Sequence, residues 1–190
     1  EQAEKTGIYG IHFVDEASPP KSLSEFALEN SVNKNQKKPL TFWGNIRFEK
    51  TFSRDLADFL PYGGLIGVSS GIEIATGKGL KDVNKGTDFD SLVASCASFK
   101  EAGILVHAYM IYGFYSETPQ DLINSMETLR QFFACGLLDS SFWHKFVLTK
   151  HSTLFSEYQK GLHPKLKPII NNDKSWFAQN DISFEGEEKS

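Results

Sequence analysis

The sequence predicts an α/β fold built on a mostly parallel sheet, and three observations carry that prediction. Five short runs rich in β-branched and aromatic residues recur along the chain. The segments between them are long enough for crossovers and carry helical spacing and helix caps, the arrangement of βαβ units with right-handed connections. Each run also breaks off at its C-terminal end into residues suited to chemistry. Ile8–Val14 leads to Asp15 and Glu16, and Leu40–Ile46 to Arg47. Leu65–Val68 leads to Ser69, Ser70 and Glu73, and Ile104–Ile111 to Tyr112, Gly113 and Glu117. Phe142–Leu148 leads to Thr149, Lys150 and His151. Parallel sheets bind ligands outside the carboxyl ends of their strands, so the recurrence points to one shared site.

Ile8–Val14 reads as the first strand, bounded by Gly7 and the Asp15–Pro20 loop. Ser22 with Glu25 forms a capping-box pattern that opens a helix through about Val32. Lys34–Pro39 is a solvated loop and Leu40–Phe48 the second strand. Ser53 caps a short helix, Arg54–Leu60, which stops at Pro61 and the Gly63-Gly64 pair. Leu65–Ser69 is the third strand, and Lys78–Asn84 a helical turn closed by Gly86. Thr87-Asp88 opens a helix with Leu92, Val93, Cys96, Phe99 and Ala102 at helical spacing and Gly103 as its stop. Ile104–Tyr112 is the fourth strand. Thr118, Pro119 and Asp121 then make a strong helix start, with Ile123, Met126, Leu129, Phe132 and Phe133 as the expected apolar face. Phe142–Leu148 is the fifth strand, followed by a helix capped by Ser152. Five βα units fall short of the eight of a closed barrel, which leaves an open curved sheet or part of a barrel. Residues 1–163 form this unit, and 164–190 read as an extended tail with little core of its own.

The 190-residue length suits one domain with a real core. A net charge of −4 and a pI near 5.8 leave no electrostatic footprint for nucleic acid or an anionic membrane. No apolar stretch approaches a membrane span, and no signal-peptide core opens the chain. Cys96 and Cys135 are the only cysteines, so no disulfide framework is expected and a reducing, cytoplasmic setting fits. The chain begins at Glu1, not Met, and reads as a piece of a longer protein.

Three segments together resemble one enzyme family. Gly71-Ile72-Glu73, followed by Gly79-Leu80 and Asn84-Lys85-Gly86, looks like the "GiEs…vL…nKg" stretch of radical S-adenosylmethionine enzymes. Ala102-Gly103-Ile104 with Met110-Ile111-Tyr112-Gly113-Phe114-Tyr115-Ser116-Glu117-Thr118 resembles their "aGI…miyGfPgET". Phe13-Val14-Asp15-Glu16 resembles the "f.De" that ends their second strand, and Arg47 falls where many members carry an Arg on the third. The order and spacing agree over about residues 8–150. Lys150-His151-Ser152 and Phe177-Ala178-Gln179-Asn180-Asp181 look closest to uncharacterised members with a cobalamin-binding domain upstream. The resemblance implies a partial (β/α) TIM-like barrel with outer helices. It also implies S-adenosylmethionine and a 4Fe–4S cluster as cofactors of the parent protein, cobalamin as a second cofactor, and a small-molecule substrate.

One departure bears on all of this. The family holds its cluster through CxxxCxxC after the first strand, and neither Cys96 nor Cys135 replaces that triplet. The expectation is that the cluster-binding first strand lies before Glu1 in the parent, and that this chain alone is inactive. Ile8–Val14 then becomes an apolar edge expected to be covered by the tail or by another copy of the chain.

The resemblance assigns roles residue by residue, and each has a plainer alternative. Glu16, next to Asp15, would lie near the methionyl amino group, or the two are a solvated loop pair. Arg47 would grip the methionyl carboxylate in a bidentate fork, or pair with Glu49 or Asp55. Glu73 would take ribose hydroxyls or the amino group, or be a helix-start charge. Ser69 joins this cofactor side at the third strand's end. Met110, Ile111 and Tyr112 would flank the adenine, or pack in the core. Gly113 would allow close approach of the backbone to a ligand. Tyr109 stands where the family has glycine, which narrows the pocket. His107 and His144 are substrate-side candidates if they face the barrel interior, and Lys145 then points the other way. His12 and His163 read as structural. Two other readings stay open: a non-radical (β/α)-barrel enzyme using Glu16, Glu73 and a strand histidine, and a non-catalytic nucleotide- or partner-binding module.

Overall fold

The computed structural model describes residues 2–32, 38–73, 75, 88–170 and 180–187. After a short exposed helix α1 (Gln2–Thr6), β1 (Gly10–Phe13), β2 (Thr41–Asn45), β3 (Leu65–Glu73), β4 (Leu105–Tyr112) and β5 (Ser140–Lys145) form one sheet in the order β1-β2-β3-β4-β5. Every neighbouring pair is parallel. All five C-terminal ends therefore line one edge. The connecting helices are α2 (Pro20–Val32), α3 (Arg54–Phe59) with a 3-10 turn at Leu60–Gly63, α4 (Phe89–Glu101) and α5 (Pro119–Ala134). The architecture is the α/β, partial TIM-like barrel expected from the sequence.

Strand alternation separates the two faces of the sheet. Phe42, Val68, Val106, Ala108 and Met110 are buried with Leu23 and Ala27 of α2, Leu92, Cys96 and Phe99 of α4, and Leu129 and Phe132 of α5. This is the main core, and it lies on the helix side. Phe13, Phe26 and Phe42 meet edge to face within it, with centroids 4.9–5.5 Å apart. On the other face His107, Tyr109, Ile111, Phe142 and His144 stay half-buried or exposed. Asn30 ties the start of the fold together: its side-chain amide donates to the carbonyls of Leu40 (2.8 Å) and Gly63 (2.6 Å).

Local chemistry sets the helix starts. Ser53, Asp88 and Ser152 each accept a hydrogen bond from the backbone N–H three residues on. Thr118 and Asp121 form a complete capping box, with Pro119 in the first turn. Helix α2, however, begins at Pro20 and not at Ser22, because proline is already suited to a first-turn position. Three strands also differ in extent from the sequence expectation, β2 by stopping at Asn45, short of Ile46–Phe48. β3 continues through Ser69 to Glu73, since polar Ser69 and Ser70 are buried by neighbouring strands and helices. The fifth run divides: Ser140–Lys145 joins the parallel sheet, while Leu148-Thr149 leaves it. On α5 the buried stripe is Ser125, Leu129 and Phe132, and Ile123, Met126 and Phe133 are exposed. The helix offers two apolar stripes, and the way it seats on the sheet selects one. The expected turn at Lys78–Asn84 lies outside the described residues.

The stretch after 164 does more than trail away. Strand β6 (Leu148–Thr149) pairs antiparallel with β8 (Asp181–Phe184), which pairs antiparallel with β7 (Pro168–Ile169). Leu148, Phe155 of α6 (Thr153–Gln159), Leu166, Ile182 and Phe184 make a second small core. Sequence patterning missed it because such two- to four-residue strands carry almost no periodic signal. Its partners lie on β6 and α6, so among the described residues it leaves the β1 edge uncovered. Ile11 and Val14 are exposed there.

Candidate functional site

Glu73 is the sharpest local feature of the strand ends. It is the only described non-glycine residue with positive φ, at +66°. The register between β3 and β4 shifts between Gly71, opposite Tyr109, and Glu73, opposite Met110. A bulge at a strand end re-aims the side chain that follows it, and a strained backbone is kept where surrounding structure demands it.

The ends of β1 and β2 are joined by Asn45. Its side-chain amide N–H donates to the Asp15 backbone carbonyl (3.1 Å), and its backbone carbonyl accepts from the Ser18 N–H (2.7 Å). Asp15 and Glu16 are exposed in the loop so anchored. Arg47 follows on the uncovered face, because Phe42, Gly44, Ile46 and Phe48 all turn to the helix side. It is exposed and pairs with neither Glu49 nor Asp55 among the described residues. Glu16 follows β1 and Glu73 ends β3, with β2 between those strands.

Ser69 sits inside β3, 3% exposed, and its hydroxyl accepts the indole N–H of Trp43 at 2.7 Å. The Met110–Tyr112 trio is split by alternation. Met110 is fully buried in the helix-side core, whereas Ile111 lies on the uncovered face in register with His144. Tyr112 lines a separate cavity of about 360 Å³ with Gly113, Phe114, Glu117, Leu122 and Phe184. Gly113 has φ +78°, and its N–H donates to Glu117 at 2.6 Å, so the loop turns back on itself directly after β4.

His107 and His144 do share the uncovered face. His107 Nδ1 lies 2.7 Å from the Ser140 hydroxyl, and Tyr109 bridges the two imidazoles at centroid distances of 4.7 and 5.7 Å. Burial, and then the neighbouring His144, hold the His107 pKa below its usual value. Lys145 points the other way, as strand alternation requires, and pairs with Glu187 at 3.2 Å. His163, read from sequence as structural, connects Tyr115 Oη and Glu157 at 2.9 Å each, tying the loop after β4 to α6. Asn45 was not legible as a site residue. Its Oδ1 is buried without a hydrogen-bond partner, which only the tertiary structure reveals.

The cysteines do not fit an iron–sulfur cluster. Cys96 is buried in the main core, where desolvation pushes its thiol up to about 12, and Cys135 is exposed at the end of α5. Among the described residues no group of three His, Cys, Asp or Glu side chains is placed to hold a metal ion. No described helix is long and apolar enough to cross a membrane.

No protein-family model and no curated protein matches the chain. Solved structures do. The radical S-adenosylmethionine methyltransferase TsrM from Kitasatospora setae, with cobalamin and a 4Fe–4S cluster bound, matches with a TM-score of 0.68 and 18% identity, over 90% of this chain and 33% of that one. The cobalamin-dependent S-adenosylmethionine radical enzyme OxsB, in its apo form, matches at 0.64 and 10% identity, over 96% and 32%. The radical S-adenosylmethionine enzyme HemN, coproporphyrinogen III oxidase from Escherichia coli, matches at 0.59 and 15% identity, over 80% and 34%. The chain spans about a third of the length of each. It has the fold of the radical S-adenosylmethionine enzymes, cobalamin-dependent ones included.

Proposed function

We propose that this chain is the later, five-strand part of a radical S-adenosylmethionine barrel whose parent carries the cluster-binding strand ahead of it. The observation that carries this is the strained, bulged Glu73 at the end of β3, with exposed Arg47 just past the end of the neighbouring strand β2. When bound, the cluster and S-adenosylmethionine supply a 5′-deoxyadenosyl radical; the barrel binds, orients and excludes water.

The chain's own residues divide that work. Arg47 offers a guanidinium fork to the methionyl carboxylate. Glu73 accepts hydrogen bonds from ribose hydroxyls or the amino group, and the Asp15-Glu16 loop closes the amino side. Ile111 supplies an apolar wall for the adenine, and Gly113 lets backbone approach its edge. Ser69 acts at one remove, by holding Trp43. Met110 contributes through its backbone, since its side chain faces the core, and Tyr112 borders the neighbouring cavity. His107 and His144 stand on the substrate side. Cobalamin enters the proposal through the likeness to TsrM and OxsB.

The test begins upstream of Glu1. The parent sequence should contain CxxxCxxC, bind an oxygen-sensitive chromophoric cluster after anaerobic reconstitution, and release 5′-deoxyadenosine on reduction. This chain by itself should do neither. In the parent, Arg47→Ala and Glu73→Gln should raise the S-adenosylmethionine concentration needed for half-maximal cleavage. A parent without the cysteine motif overturns the proposal.

A further inference from the structure

We propose that the cavity behind the end of β4 binds an alkylated ammonium ion, held by aromatic rings and a carboxylate. Its volume, about 360 Å³, falls within the range of small-ligand pockets, roughly 300–1,000 Å³. Tyr112 reaches it from the helix side of β4, since strand alternation sends Ile111 the other way. Phe114 and Tyr115 come from the loop after β4 and Phe184 from the end of β8, so the walls include four aromatic rings. Phe114 lies 4.8 Å from Tyr115 and 4.8 Å from Phe146, which in turn meets Phe184 at 5.8 Å. Tyr115 is fixed at its far end by His163, itself held by Glu157. The rings are therefore positioned before any ligand arrives, and aromatic rings attract cations to their faces.

Charge and hydrogen bonding select the sign of the ligand. Glu117 and Glu185 line the cavity, and among the described residues no lysine, arginine or histidine does. Glu185 meets Lys167 at 2.9 Å in solvent, so Glu117 carries more of the negative field. Glu117 Oε2 accepts the Gly113 N–H at 2.6 Å, which orients the carboxylate. The backbone donors that could hold an anion are already committed. The Gly113 N–H goes to Glu117, the Glu117 N–H to the Phe114 carbonyl, and the Glu185 N–H to the Lys167 carbonyl. The start of α5 also borders the cavity, but its capping box takes the Thr118 and Asp121 N–H groups, and the Asp121 carboxylate opposes the helix dipole. An anion would meet repulsion and spent donors here. A cation without N–H groups needs only ring faces and a nearby carboxylate.

The test uses this chain with choline as probe, read through the ring-proton signals of Tyr112 and Tyr115, assigned with Tyr112→Phe and Tyr115→Phe. Choline should shift both sets saturably with a Kd below about 10 mM, and leave the His107 and His144 signals on the other face of the sheet unmoved. 3,3-Dimethyl-1-butanol, which puts carbon in place of the ammonium nitrogen at the same shape, should bind about tenfold more weakly. Tyr112→Leu, which keeps apolar volume and loses the ring, should weaken choline binding about fivefold, whereas Tyr112→Phe should retain it. Glu117→Gln, whose amide oxygen can still accept the Gly113 N–H, should weaken choline binding and leave that of the alcohol unchanged. Should that variant fail to fold, the Tyr112 pair decides. 5′-Methylthioadenosine, a neutral adenine nucleoside, should not displace choline. The proposal is overturned by any of five results: no saturable shift, shifts at His107 or His144 instead, equal binding of the alcohol, unchanged choline binding in Tyr112→Leu or in folded Glu117→Gln, or displacement by the nucleoside. None of these readouts needs a cluster, so failure here and failure to cleave S-adenosylmethionine in the parent are separate outcomes.

Discussion

The indole N–H of Trp43 on β2 donates to the buried hydroxyl of Ser69 on β3 at 2.7 Å, across the space left by Gly67. One glycine, one serine and one tryptophan thus set the floor of the uncovered face. Gly67→Ala should push the indole off Ser69 and destabilise the chain by about 1–3 kcal/mol. Gly10→Ala, whose Cβ would meet only Thr41 Oγ1 at 3.7 Å, is the control. Urea unfolding of both variants measures the difference, and equal stabilities would show that Trp43 is free to move aside.

Glu73→Gly should leave the chain more stable than Glu73→Ala by about 1 kcal/mol, because both remove the carboxylate and only glycine relieves the left-handed backbone position. The same change in the parent should weaken S-adenosylmethionine binding. Thermal unfolding checks the first part and titration of the parent the second. Equal stabilities of the glycine and alanine variants would mean that the bulge stores no strain at Glu73.

His107 has a pH consequence whose sign is fixed by its lowered pKa. The unfolded chain takes up the proton first, near the ordinary imidazole value of about 6.5. Stability contributed by neutral His107 is therefore complete above that pH and declines as pH falls toward the folded-state pKa. Urea midpoints measured from pH 8 to 5 should show the decline, and His107→Gln should flatten it. An unaltered profile in the variant assigns the decline to other groups.

The β1 edge gives an association prediction. Ile11 in the sheet's outer strand and Val14 just past it are exposed, and among the described residues no further strand pairs with β1 on that side. We propose that this chain self-associates there when the preceding strand is missing. Sedimentation should show a concentration-dependent oligomer, and Ile11→Lys should shift it toward monomer. A parent containing the preceding strand should not respond to the same substitution. A monomer at all concentrations would set the edge proposal aside.

Much of this protein is legible in its sequence because the relevant signals are local. The caps at Ser53, Asp88, Thr118 and Ser152 and the five apolar runs act within a few residues; the structure places each cap at its expected helix and each run in a strand of the parallel sheet, the fifth only as far as Lys145. The parallel order follows from crossover length. The common location of the strand ends follows in turn, as do Glu73 at the end of β3 and Gly113 just past β4.

What tertiary structure decided is which way side chains point and what covers them. Met110, Ile111 and Tyr112 are adjacent in sequence, yet alternation sends them to a helix-side core, an uncovered face and a separate cavity. The positive φ of Glu73 comes from a register shift between two strands, which neither strand encodes alone. The unpaired Oδ1 of Asn45 and the small core of Leu166, Ile182 and Phe184 likewise arise from segments distant in sequence. Propensity and periodicity act along the chain, while burial and hydrogen-bond satisfaction are properties of residues brought together across it.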